Sequence, residues 1–224
     1  MVFPVKNKIF LTAVAAIAIV AVSIAVSAEM PDARVADLEK PCVNSSEVGL
    51  LLQMRVLWEE HVVWTRMLII SIAGNLSDTQ PVTERLLRNY DDMEEAFLPY
   101  YGEEAAKEYG GLVEDHLLIA ADLVKAAKAG NSTAVADATM QWYQNADNIS
   151  IFLNETNPSW GLNETKAMWY NHLNLTKQEA VARLNKNYTA DIDLFDTIRR
   201  QAAGMAGDQT QGIIEQFPDK FGKC

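Results

Sequence analysis

Residues 47–73 read EVGLLLQMRVLWEEHVVWTRMLIISIA. Leu50, Met54, Leu57, Trp58, His61, Trp64, Leu68 and Ile72 recur there every three or four positions, which places them on one stripe of a helix. The same period continues through the rest of the chain, and the apolar–polar alternation of strands is absent. The spacing predicts helices over about 81–98, 103–129, 132–153 and 164–173. A last long helix is expected to open at Thr176, whose capping-box partner is Glu179, and to run to about Gln216. Four long helices joined by short connections, with two short extra ones, predict an all-α domain arranged as an antiparallel four-helix bundle. No internal repeat stands out in the sequence.

The bundle is expected over 47–217, after a polar linker at 29–46 containing Pro31 and Pro41, and before a tail at 218–224. Residues 1–28 carry the marks of an export segment. Lys6 and Lys8 precede an uncharged run from Ile9 to Ala28, and Val26-Ser27-Ala28 offers the small residues of a cleavage site. The run is also long enough, about 20 residues, to span a bilayer as a retained signal anchor. The segment is thus a signal peptide or a signal anchor, and membrane contact is expected only through residues 9–28, if they stay attached.

N-x-Ser/Thr begins at Asn44, Asn75, Asn131, Asn148, Asn154, Asn163, Asn174 and Asn187. Random placement of the same residues would give about one such pattern, so N-linked glycans are expected at several of these sites. Together with the leader this predicts an extracytoplasmic glycoprotein, secreted or held at the cell surface. In an oxidising compartment Cys42 and Cys224 either form a disulfide joining the two ends or serve bonds between chains, which leaves a homo-oligomer open.

Composition and motifs exclude several function classes. A net charge of -11 argues against nucleic acid or an anionic lipid surface. No glycine-rich phosphate loop, H-E-x-x-H, G-x-S-x-G, C-x-x-C-H or Glu-x-x-His is present, so nucleotide chemistry, zinc proteolysis, esterase chemistry, covalent haem and ferritin-like di-iron sites lack their usual signatures. What remains is a set of ionisable residues on apolar faces. His61 lies between Trp58 and Trp64, His116 between Leu112 and Ile119, and His172 follows Met168 and Trp169. Asp147 stands with Tyr143 and Ile151, and Asp191 with Tyr188 and Leu194. His61, His116, Asp147 and Asp191 each sit about 14 residues into their expected helices, or about 20 Å along the axis. The set predicts one ionisable side chain per long helix at a common depth, with His172 entering from the last connection. Imidazoles and carboxylates together suit Zn, Cu, Fe or Mn.

Three readings of these residues stay open: a non-enzymatic bundle holding a metal ion or small ligand inside; a structural or self-assembling surface glycoprotein whose buried His and Asp only fix packing; and a metal-dependent oxidoreductase. Trp58, Trp64, Trp142, Tyr143, Trp160 and Trp169 read as core or loop anchors, with an aromatic ligand pocket as the other possibility.

Leu57-Trp58-Glu59-Glu60-His61-Val62-Val63-Trp64-Thr65-Arg66, the stretch from His116 through Asp122 to Lys128-Ala129-Gly130, and Trp142-Tyr143-Gln144-Asn145-Ala146-Asp147 resemble tracts in a family of uncharacterised helical proteins. His172-Leu173, Ala190-Asp191-Ile192 and Gln216-Phe217-Pro218 are similar too. The resemblance covers roughly 50–221 and carries no activity with it.

Overall fold

A computed structural model describes residues 44–222. The run at 9–28, Cys42 and Cys224 lie outside them. Every regular element described is helical: α1 (Ser45–Gly74), α2 (Thr79–Lys128), α3 (Ser132–Thr156), α4 (Leu162–Leu184), α5 (Tyr188–Gln216) and a 3₁₀ turn at Pro218–Lys220. No described helix is long and apolar enough to cross a membrane.

Two boundaries carry the architecture. Within α2, Gly102 adopts φ 82°, ψ 175°, and Pro99 lacks the N–H a continuing helix needs, so α2 is two arms, 79–101 and 103–128. That break falls where the sequence places it. The other does not. No helix starts at Thr176, which lies inside α4 and donates its hydroxyl to the His172 carbonyl (2.9 Å), while Glu179 turns to Arg66 instead of capping. The chain reverses ten residues later, where Lys186 takes φ 58° and Asn187 caps α5 through the Ala190 amide. His172 therefore sits midway along a full helix and not in a connection.

Each helix packs on its chain neighbours, and α5 closes the ring against α1. Lys128, at the end of α2, donates to the Ile72 and Ala73 carbonyls that end α1, so the second arm of α2 runs in the direction of α1. Contacts between α1 and α4 at His61–His172 and again at Arg66–Glu179 give α4 the same direction. The intervening segments run back.

The result is three helical hairpins in one register: α1 with the first arm of α2, the second arm with α3, and α4 with α5. Their turns are built alike. Asn75, Gly130 and Lys186 hold the left-handed conformation. The following N–H groups, of Leu76, Asn131 and Asn187, reach the carbonyls of Ser71, Ala126 and Ala182 at 2.9, 3.1 and 2.9 Å, the Schellman closure. Each left-handed residue follows a histidine by the same interval: 61 to 75, 116 to 130, 172 to 186. The core follows the register too. Three positions before the histidines lie Trp58, Val113 and Trp169, and one after lie Val62, Leu117 and Leu173, all at most 2% exposed. Burying each such side chain favours the fold by about 1.5–3 kcal/mol.

Candidate functional site

The register brings His61, His116 and His172 together. Ring centroids are 5.5–6.0 Å apart, all three side chains are buried, and one ring nitrogen from each lies within 4.8 Å of the others. Indoles enclose them: Trp58 is 5.2 Å from His61, Trp142 5.2 Å from His116, and Trp169 5.1 Å from His116.

Each histidine is oriented by an amide on the returning helix of its own hairpin. His61 Nδ1 meets Asn89 Oδ1 at 2.9 Å, His116 Nδ1 meets Asn145 Oδ1 at 3.2 Å, and His172 Nδ1 meets Gln201 Oε1 at 3.0 Å. Each amide nitrogen donates to the carbonyl four residues before the histidine it serves: Asn89 to Leu57 (2.9 Å), Asn145 to Leu112 (3.0 Å) and Gln201 to Met168 (3.2 Å). A carbonyl only accepts, so the NH₂ must face it and the amide oxygen must face the ring. The ring nitrogen opposite an accepting oxygen has to carry the proton. All three imidazoles are thus fixed as Nδ1–H tautomers, with the Nε2 lone pairs free. Since each Nδ1 is committed to its amide, the nitrogens left to take a metal are Nε2.

Electrostatics favour the same state. Burial pushes the His61 pKa down to about 3 and that of His172 to about 4; burial, then repulsion from the other two rings, holds His116 well below the ordinary histidine range. Neutral imidazole is the form that binds a metal. At Zn–N lengths of 2.0–2.1 Å and tetrahedral angles, ligand nitrogens stand about 3.4 Å apart, against the 4.8 Å within which the three ring nitrogens lie here.

The two aspartates expected at this centre lie elsewhere. Asp147 is half-buried between Lys166 Nζ and the Tyr170 hydroxyl, both at 2.8 Å. Asp191 is buried, but Arg66 holds it through two nitrogens (2.6 and 3.1 Å) and Arg183 through a third (3.2 Å). Arg66 also pairs with buried Glu179, and Phe195 stacks on its guanidinium at 4.6 Å. Among the described residues, the only grouping of ligand-type side chains that could hold a metal is the histidine trio. Sequence patterning placed Asp147 and Asp191 on inward stripes, but could not say which basic side chain would meet them there. The orienting amides leave only a faint signal in the sequence: Asn89, Asn145 and Gln201 are polar residues on apolar faces 28 or 29 positions after a histidine.

Six sequon asparagines, at 75, 131, 148, 163, 174 and 187, are exposed. Asn44 caps α1 and donates to the Gly222 carbonyl, and Asn154 donates to the Trp160 carbonyl (2.9 Å), so the acceptor nitrogens of these two are engaged.

No family model, curated protein or solved structure matches the chain.

Proposed function

We propose that this is an exported or membrane-anchored, N-glycosylated helical bundle, acting outside the cytoplasm, that binds one transition-metal ion through Nε2 of His61, His116 and His172. The observation that carries this reading is the repeated chain from carbonyl to amide to Nδ1–H. A buried polar layer serving packing alone needs each ring satisfied once, and any tautomer would do. Here three separate amides select the same tautomer, so that three lone pairs meet. Metal-binding histidines are oriented in this way, through the nitrogen that does not ligate. With both aspartates elsewhere, three imidazoles favour Zn or Cu over Mn or Fe, which are better served where carboxylates contribute. Binding without turnover is the preferred role, because among the described residues no nucleophile paired with a base is found at the centre. The antiparallel four-helix bundle of the sequence is better read, on this proposal, as three hairpins converging on one ion. The six exposed sequon asparagines are the preferred glycan acceptors.

The rival reading makes the histidine–amide layer a packing device of a surface glycoprotein, and its support is that every Nδ1 is satisfied within the protein. Metal content of the chain, purified without a histidine tag, separates the two. About one Zn or Cu per chain, lost in His61→Ala/His116→Ala while helicity persists, supports the metal centre. Metal absent even after reconstitution overturns it.

A further inference from the structure

The histidine centre has two unlike sides. The three histidine-bearing segments run the same way, so equivalent positions lie at equivalent heights. On the side of their N-termini, Trp58, Val113 and Trp169 fill the space and none is measurably exposed. On the other side, one turn beyond each histidine, Thr65, Ala120 and Thr176 line a cavity of about 110 Å³. Trp142, whose ring lies 5.2 Å from His116, lines it as well, so the cavity shares this indole with the histidine layer, one turn from the rings and without a histidine in its wall, and extends toward the hairpin turns at Val124 and Leu184. Its walls are almost wholly apolar. The Thr65 and Thr176 hydroxyls are donated back to the His61 and His172 carbonyls at 2.7 and 2.9 Å, and so are already engaged.

We infer that the metal position facing this cavity takes a small exogenous ligand with an anionic donor atom and an apolar body, such as a short-chain carboxylate or thiolate. The inference rests on the metal reading above. Three neutral imidazoles leave a divalent ion with its full charge in buried surroundings, and no described carboxylate is grouped with them. A buried charge without a counter-charge is costly, so the open position favours an anion. Apart from Lys177, the walls offer the rest of that ligand apolar contact. A dry cavity of about 150 Å³ holds benzene, so the space here suits a body of about four or five heavy atoms. A three-histidine set with one position left for an outside ligand is the pattern of reactive zinc sites, as distinct from four-ligand structural ones.

The test uses the full chain loaded with Co²⁺, whose visible absorption reports the coordination sphere, titrated with propionate. Adamantane-1-carboxylate carries the same charge on a body too large for the cavity, and propionamide matches the size without the charge. Propionate is expected to change the spectrum saturably and to bind at least tenfold more tightly than either comparison compound. Ala120→Leu, which narrows the cavity without touching a ligand atom, is expected to weaken propionate at least tenfold while Co²⁺ stoichiometry holds. Because the probes are compared on the unaltered chain, the size test survives even if Ala120→Leu does not fold. Stoichiometric Co²⁺ that depends on the histidines, with a spectrum indifferent to propionate, would overturn the open position and leave the metal reading intact. Equal affinity for the bulky carboxylate would overturn the cavity as the way in. Failure to take up Co²⁺ would overturn both.

Discussion

Two groups of buried polar side chains lie about one to two helical turns apart. The histidine layer is threefold, each ring served by an amide from its own hairpin. The ion cluster of Arg66, Glu179, Asp191 and Arg183 is one-sided, drawn from α1, α4 and α5 alone. In the cluster, both oxygens of Asp191 and one of Glu179 meet arginine, leaving little for an outside partner. In the layer each ring is satisfied on one nitrogen and free on the other. Burial and polarity therefore do not separate a strut from a site; the difference lies in which lone pairs remain and whether they converge.

The difference has a pH signature, and this is the largest effect expected. The layer's imidazoles are held neutral well below the 6.5 of an exposed histidine, so below that pH the unfolded chain binds up to three more protons than the folded one. Stability of the metal-free protein is then full above about pH 6.5 and lost as pH falls, by about 6 kcal/mol at pH 5 if all three stay neutral. Glu179 acts oppositely. Burial outweighs its pairing with Arg66 and raises its pKa to about 7, so its contribution is present below about 4.5 and lost as pH rises through 7. Three groups outweigh one, and urea midpoints from pH 5 to 7.5 should rise steeply toward neutral pH. A flat profile over that span would mean that the histidines take up protons in the folded protein.

Breaking the cluster should cost stability and nothing else. Asp191→Ala leaves two guanidinium groups facing a cavity with Glu179 as their only counter-charge, an expected loss of about 3–5 kcal/mol in urea unfolding. Metal content, on the proposed reading, is expected to stay unchanged, and a drop to zero in folded Asp191→Ala would return the aspartate to the proposed metal centre, where sequence patterning puts it.

The amides make the converse case. Asn145→Leu keeps the volume but strands the His116 Nδ1–H, at about 1–3 kcal/mol. If the amides orient ligands, it should also weaken Zn²⁺ binding by about 10- to 100-fold, measured by competition with a chelator. Loss of stability at unchanged affinity would reduce Asn145 to a packing residue.

Much of this was legible in the sequence, and the rest was hidden for physical reasons. Helical class follows from the stripe around His61, and the break at Pro99–Gly102 from two residues that cannot continue a helix. Depth along the expected helices sets His61 and His116 at one level, but it adds Asp147 and Asp191, which lie elsewhere, and it brings His172 from a connection where the chain has the middle of α4. Partner choice is not legible, because a stripe says that Asp191 points inward without saying that Arg66 arrives from another helix. The turn at 185–187 was missed since Lys186 is a poor signal for a left-handed residue, while Thr176 and Glu179 imitated a helix start. The threefold register is hidden in the sequence because its equivalent positions share roles more than residue types: tryptophan, valine and tryptophan below the rings, and asparagine, glycine and lysine in the turns.

That register yields the smallest and most pointed expectation. If the three turns are equivalent, what glycine does at 130 it should do at the other two. Gly130 holds φ 67° at no steric cost, whereas Lys186 at φ 58° carries a Cβ against its own carbonyl, a penalty of about 1 kcal/mol. Lys186→Gly relieves that penalty but gives part of it back through the greater freedom of the unfolded chain, so a net gain of about 0.5 kcal/mol is expected in urea unfolding. Gly130→Ala should lose about 1 kcal/mol by the same reasoning reversed. None of these turn residues touches the histidine layer, so metal affinity should hold in both variants. Loss of stability in Lys186→Gly would mean that the lysine side chain supports its turn in a way the other two hairpins do not share, and the likeness of the three would then stop at the backbone.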